Sequence, residues 1–169
     1  MTKTEFELSV REHQTMVYSI SYNFFRNAAI AEEVAQDVFL KLYEHREAVQ
    51  RGPHCIAWLR RTAVHRCIDA SRRSSARHEV QLEELPEIAV AQSESDPLLW
   101  NKLGRVIASL PQKPRAVLLL RYGEDMDVDE IGRLLNMPVR TVWSHLQRSL
   151  SLIRQKVAPH LEEKKIGAI

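Results

Sequence analysis

The fold of this chain is decided by residues 127–146, which read DVDEIGRLLNMPVRTVWSHL. Apolar residues recur at helical spacing in the first half of this stretch, at Val128, Ile131, Leu134 and Leu135. Asn136 can take the left-handed conformation that ends a helix, and Pro138 suits the start of a new one. The stretch therefore predicts two short helices that are joined by a tight turn.

The second helix of this pair has two chemically different sides. We expect its apolar residues Val139, Val142 and Leu146 to be buried. We expect its polar and cationic residues to be exposed: Arg140, Thr141, Ser144, His145 and Arg148. The DNA major groove accepts a helix with such a face, so the pattern favours a DNA-binding helix-turn-helix. Two packed helices with a solvated outer face are the alternative, and Trp143 could belong to the core or face DNA.

Charge is distributed unevenly along the 169 residues, although the formal net charge is only +2. Residues 1–77 carry a net charge of +3, residues 78–98 a net charge of −6, and residues 99–169 a net charge of +5. Two basic segments joined by an acidic one suit a polyanion that is bound in two places. Pro86 and Pro97, among acidic and small residues, give residues 78–98 the composition of a linker.

The sequence carries no signature of an enzyme, a metal site or a membrane protein. It has no Gly-rich phosphate loop and no nucleophile elbow, so we expect neither catalytic residues nor a cofactor. The candidate metal ligands His54, Cys55, His65 and Cys67 lack Cys-x-x-Cys spacing, and residues two apart on a helix point to different sides. No signal peptide is visible, and no apolar run approaches the roughly 20 residues that cross a bilayer. We expect a cytoplasmic protein without membrane insertion.

Apolar spacing is helical along the rest of the chain, so we expect an all-α fold of two small helical domains. Proline is expected to interrupt helices in two places. Pro111 and Pro114 bracket a turn, and Pro159 stops the last helix at about Val157. The predicted helices before the helix-turn-helix span residues 4–26, 28–45, 54–75, 98–110 and 115–122.

Three further stretches resemble bacterial RNA polymerase sigma factors. Residues 110–122, LPQKPRAVLLLRY, together with the helix pair, resemble region four, which reads the upstream (minus-thirty-five) promoter element. Residues 31–43, AEEVAQDVFLKLY, and residues 57–73, AWLRRTAVHRCIDASRR, resemble region two. The chain has nothing large enough for the other sigma domains, and in this it is similar to the extracytoplasmic-function (ECF) group. The resemblance covers residues 8–157.

The resemblance implies a division of labour along the chain. Residues 1–77 would be region two, a three-helix bundle that docks on core polymerase and recognises and melts the minus-ten element. Residues 78–98 would be a flexible acidic linker that imitates a nucleic-acid strand. Residues 99–160 would be region four with its helix-turn-helix, and residues 161–169 a tail. An anti-sigma factor is a further implied partner.

The implied contact residues fall into three sets. Docking on the clamp helices of the largest polymerase subunit would use Glu33, Gln36, Asp37, Leu40 and Lys41. Minus-ten contacts would use Arg60, Arg61, His65, Arg66, Arg72 and Arg73. Minus-thirty-five contacts would use Arg140, Thr141, Ser144, His145 and Arg148.

The first basic helix also makes physical sense as a DNA-binding element. Residues 60–77 carry six arginines against the single acid Asp69, so this helix can follow a phosphate backbone. Residues 46–54 and the start of the same helix would supply the pocket that captures a flipped base, which needs polar edges and a stacking surface. The sequence departs from the family's usual residues at His65, Arg140, Trp143 and His145. The alternative function is a dimeric helix-turn-helix regulator that binds duplex DNA without forming holoenzyme.

Overall fold

The computed structural model describes residues 1–77 and 97–166, and within these the side chains of residues 1–73 and 98–159. Nearly all of the expected linker at 78–98, and residues 167–169 of the expected tail, lie outside the described residues. The described part is all α-helical, as predicted. Its helices are α1 (Lys3–Phe25), α2 (Ala28–Glu44), α3 (Pro53–Arg77), α4 (Pro97–Ala108), α5 (Gln112–Tyr122), α6 (Val128–Leu135) and α7 (Val139–Ile166).

Local side chains set where α1 and α2 begin. At α1, the Thr2 hydroxyl accepts from the Glu5 backbone N–H at 3.2 Å, and the Glu5 carboxylate accepts from the Thr2 N–H at 2.7 Å. At α2, the Asn27 side chain accepts from the Ile30 N–H at 3.0 Å. These groups satisfy N–H donors that have no partner inside the helix. Arg26, in the left-handed conformation with φ 53°, ends α1 and turns the chain into α2.

Helices α1, α2 and α3 pack around one apolar core. Phe24, Leu42 and Leu59 are its largest fully buried side chains, and one comes from each helix. Smaller side chains such as Val38 and Ala63 fill the space between them. The bundle stabilises itself by burying this apolar surface, which yields about 25 cal/mol for each Å² removed from water.

Helices α4 to α7 form the second group, which is centred on α5 and α7. Leu120, Ile131 and Val142 are fully buried there and come from α5, α6 and α7. The two groups also touch each other. Helix α1 contacts α4 and α5, and α3 contacts α5 and α6. Their buried residues belong to one continuous apolar cluster.

Two expectations about proline and helix ends were wrong. Helix α5 begins at Gln112, so Pro114 lies in its first turn rather than in a turn before it. This placement is tolerated because N–H groups of the first turn have no partner inside the helix. Helix α7 continues through Pro159 to Ile166. A proline removes one helical hydrogen bond and favours a kink, but the bonds on either side of it can still form.

Candidate nucleic-acid and polymerase interfaces

The helix pair α6–α7 has the local geometry that its sequence predicts. The Asp127 carboxylate accepts from the Glu130 N–H at 2.8 Å, and the Glu130 carboxylate accepts from the Asp127 N–H at 3.0 Å. Asn136 ends α6 in the left-handed conformation, with φ 50°. Gly132 lets the turn come close, because a Cβ there would lie 2.9 Å from the Met137 carbonyl oxygen.

The first turns of α7 present a mixed face to solvent. Arg140 and Arg148 are exposed, as expected, whereas Thr141 and Ser144 are only partly exposed. The Ser144 hydroxyl donates to the Arg140 carbonyl oxygen at 3.0 Å, and its lone pairs remain available to a donor. The expectation that Val139 is buried was wrong, since 36% of its surface is exposed at the start of α7, where few neighbours cover it.

His145 is not the free surface residue that the sequence predicts. Its ring is half-buried, and its Nδ1 atom is fully buried without a hydrogen-bond partner among the described residues. Burial lowers the pKa of His145, and the nearby charges of Arg148 and Lys113 lower it further. His145 is therefore neutral at pH 7, with part of its ring turned into its own domain.

The other side of the same helix carries two exposed residues that are absent from the expected contact set. Trp143, which could have been core, is 51% exposed. Gln147 is exposed four residues later on the same side of the helix. The sequence places Gln147 four residues after Trp143, so helical spacing puts both on one side of the helix. Spacing alone, however, does not show which side chains the rest of the domain covers.

The basic residues of α3 divide into exposed and partly buried ones. Arg61, Arg72 and Arg73 are exposed, whereas Arg60, His65 and Arg66 are partly buried. The Arg60 Nε atom lies 2.9 Å from the Glu124 carboxylate, which belongs to the segment between α5 and α6. Burial lowers the pKa of His65, with a smaller contribution from Arg61 in the same direction.

A cavity of about 400 Å³ lies where the base-capturing pocket is expected. Its wall includes the α2–α3 connection and the start of α3, which the resemblance implied, and also the end of α2 and α3 as far as Asp69. The His45 and Trp58 rings lie 6.2 Å apart and supply aromatic surface. The Arg66 Nε atom is fully buried and has no hydrogen-bond partner in the described part of the chain. The polar members of the wall are Lys41, His54, Thr62, His65, Arg66 and Asp69.

The expected polymerase-docking residues lie along one side of α2. Glu33, Gln36 and Leu40 are exposed, and Asp37 and Lys41 are partly exposed. This side borders an apolar groove of about 820 Å³ between α1 and α2. Gln36 and Leu40 line the groove together with Phe6, Val10, Tyr18, Ala35, Phe39 and Tyr43. An apolar groove beside mixed charges is chemically suited to a helical protein partner.

Both cysteines are buried and unpaired. Burial raises the pKa of the Cys67 thiol to about 12, so it stays protonated and unreactive at neutral pH. The described residues hold no group of three or more His, Cys, Asp and Glu side chains that could bind a metal ion. Among the same residues, no helix combines the length and the apolarity that crossing a membrane requires.

Family models match two separate parts of the chain. Residues 9–77 match "Sigma-70 region 2", and residues 100–153 match "Sigma-70, region 4". The chain is 27% identical to the ECF RNA polymerase sigma factor SigW of Bacillus subtilis (strain 168), over 86% of this chain and 84% of that protein. It is 29% identical to the ECF RNA polymerase sigma factor SigE of Mycolicibacterium smegmatis (strain ATCC 700084 / mc(2)155), over 91% of this chain and 62% of that protein.

A solved structure has the same fold. It is the co-crystal structure of the sigma factor RpoE in complex with the anti-sigma factor NepR from Bartonella quintana. The TM-score is 0.70 at 13% sequence identity, and the likeness covers 90% of this chain and 96% of the matched chain.

Proposed function

Because this chain belongs to the ECF group of RNA polymerase sigma factors, we propose that its three surfaces act together in promoter-specific transcription initiation. The chain is an initiation factor of core RNA polymerase and not an enzyme in its own right. The observation that carries the proposal is that region two and region four occur in one chain, in order.

The α6–α7 pair binds the upstream promoter element. The capped α6 and the tight turn at Asn136 and Gly132 hold α7 rigidly, so its first turns can enter a major groove. Arg140 is exposed there and can bind guanine through two hydrogen bonds. Arg148 adds a cation that can contact a phosphate.

The basic face of α3 and the adjoining cavity bind the melted downstream element. Arg61, Arg72 and Arg73 are exposed and can follow the phosphate backbone. The cavity offers the aromatic surface of His45 and Trp58 to a flipped base, and Arg66 brings a cationic side chain to the same wall. His65 contributes as a neutral ring, because burial lowers its pKa.

The α2 side and its groove dock on the clamp helices of the polymerase. Leu40 is 58% exposed, and the charged residues Asp37 and Lys41 lie on the same side of α2. An exposed leucine that fills a partner's pocket is a common source of binding energy, and the charges around it select the partner. An anti-sigma factor that covers the same surface would keep the chain inactive in the cytoplasm, where polymerase works.

The decisive experiment combines purified core RNA polymerase with the chain and measures run-off transcription from DNA taken upstream of its own gene. We expect transcription only when both proteins are present. Binding of the chain to duplex DNA as a symmetric dimer, with no transcription and no binding to core polymerase, would instead support the regulator alternative.

The docking surface is tested by Leu40→Glu and Asp37→Arg, measured as the affinity of the chain for core polymerase. We expect Leu40→Glu to weaken binding by about 10-fold or more, since burying a charge against the partner is costly. The matched control is Leu8→Glu, at an exposed leucine on α1 that does not line the groove. If neither α2 variant weakens binding more than the control does, the docking surface lies elsewhere.

The base pocket is tested by His45→Ala in the reconstituted holoenzyme. We expect promoter opening to slow several-fold, because one base–aromatic contact is worth about 1–3 kcal/mol. His13→Ala, on α1 and outside the cavity wall, is the matched control. Equal opening rates for both variants would place base capture at another site.

A further inference from the structure

We infer that Val139, Trp143 and Gln147 form a row on α7 that reads A·T base pairs in the upstream element. This inference rests on the proposed function of the helix pair and names the residues and the bases involved. The row follows from helix geometry. Residues four apart lie one above the other on the same side of an α-helix, so these three side chains form one line.

The row is free to contact DNA because another side of α7 faces the core. Val142, Leu146 and Ser149 are buried and mark the side that packs on the domain. Trp143 lies away from that line, and 51% of its surface is exposed. A tryptophan is usually well buried, and an exposed one on an otherwise polar face indicates a contact surface.

The chemistry of the row matches one type of base pair, A·T. Val139 and Trp143 present adjoining apolar surface, and in the major groove the only apolar group is the thymine C5-methyl. Gln147 has one amide acceptor and two amide donors, the set that binds adenine at N6 and N7. The thymine methyl group and the adenine edge are both features of A·T pairs, so the apolar members and the polar member of the row each favour this type of pair at their own position.

The spacing also fits a groove. Four helical residues rise about 6 Å, and successive base pairs are about 3.4 Å apart, so neighbouring members of the row reach positions about two base pairs apart. Arg140 lies beside the row and can bind a neighbouring guanine.

His145, which the sequence predicts as a contact, is placed less favourably than the row. Its Nδ1 atom is fully buried, and its ring is half-covered by its own domain. The Ser144 hydroxyl donates to the Arg140 carbonyl oxygen at 3.0 Å, within the same helix. We therefore place base readout on the flank of α7 opposite His145.

The test uses the holoenzyme and a DNA library that is randomised across the upstream element. Bound DNA is sequenced for the native chain and for Trp143→Ala, Gln147→Ala and His145→Ala. We expect the native chain to prefer A·T pairs at two or more positions. Gln147→Ala should lose one of these preferences by about 10-fold, and Trp143→Ala should weaken another, as each good base contact discriminates by about 1–3 kcal/mol. His145→Ala should leave all preferences in place.

Two further measurements sharpen the test. Replacing thymine by uracil in the selected DNA removes only the methyl group, so it should weaken DNA binding by the native chain several-fold and weaken binding by Trp143→Ala less, because only the Val139 contact remains there. Gln147→Glu should change the preferred base from adenine to cytosine, because a carboxylate accepts from the cytosine amino group. Trp100→Ala, at a comparably exposed tryptophan on α4, is the control for general effects of losing an indole.

The outcomes separate the inference from the proposed function. If the native holoenzyme selects no sequence at all, the proposed function fails. If it selects a sequence and the Trp143 and Gln147 variants select the same one, the inference alone is wrong. Loss of preference in His145→Ala but not in Gln147→Ala would also overturn it.

Discussion

Arg115 joins the two groups of helices, and its replacement by methionine should measure how strongly they are held together. Its Nη1 atom donates to the Phe24 carbonyl oxygen at 3.0 Å, in the last turn of α1. Its Nη2 and Nε atoms donate to the Leu110 carbonyl oxygen at 2.7 and 3.2 Å. The guanidinium carbon also lies 4.7 Å from the centre of the Phe24 ring.

The expected loss of stability follows from these contacts. Burial lowers the pKa of Arg115 to about 10, so the side chain remains charged at pH 7. Arg115→Met keeps most of the side-chain volume but leaves the Phe24 and Leu110 carbonyls without this donor. Hydrogen bonds to a charged group contribute about 1.5–3 kcal/mol, and relief of the buried charge offsets part of that loss. We expect the free energy of unfolding to fall by about 2–3 kcal/mol.

Urea denaturation measures the change, and the same helix offers a matched control. With a slope of about 1–3 kcal/mol per molar urea, the midpoint should fall by roughly 1 M. Arg121→Met alters an arginine on α5 that donates to the Met126 carbonyl oxygen at 3.1 Å and is 3.8 Å from the exposed Asp125 carboxylate. That partly exposed position should lose only about 0.5–1 kcal/mol. Equal losses for the two variants would refute the reasoning, because burial would then add nothing to the Arg115 contacts.

Three other perturbations test separate features. Gly132→Ala should lower the melting temperature and reduce the free energy of unfolding by about 1–2 kcal/mol, because the added Cβ would lie 2.9 Å from a backbone oxygen. A stabilising effect would contradict that close approach. Burial lowers the pKa of His65, so the folded state favours the neutral ring. The stability that this preference contributes should be fully present above about pH 6.5 and be lost as the pH falls through the lowered pKa. Unfolding measured from about pH 7 to about pH 5 should show a smaller loss of stability for His65→Gln than for the native chain. Arg60→Glu and Glu124→Arg should each lower stability by about 0.5–1 kcal/mol, and the double variant should recover most of it if the 2.9 Å ion pair forms in solution.

Most of the helical framework could be predicted from the sequence because its causes are local. The capping pair Asp127 and Glu130, the turn residue Asn136 and the apolar spacing of α6 act within a few positions of one another. The exceptions, Pro114 and Pro159, arose because a proline weakens a helix without always ending it. The residues expected to form a base pocket do line a cavity, because they lie in the segment between α2 and α3 and in neighbouring turns of those helices, but base capture there stays a prediction.

The individual contact residues depended on tertiary structure. Arg60 and Glu124 are 64 positions apart in the chain, and Arg115 and Phe24 are 91 apart, so no local pattern relates them. Periodicity placed His145 on the polar side of α7, but packing within the domain covers its Nδ1 atom and leaves Trp143 exposed. By itself the sequence determined the helices and their order, because hydrogen bonding and apolar spacing within a helix are local. Only the tertiary structure decided which polar side chains are free to bind DNA, because that depends on distant segments that compete for the same surface.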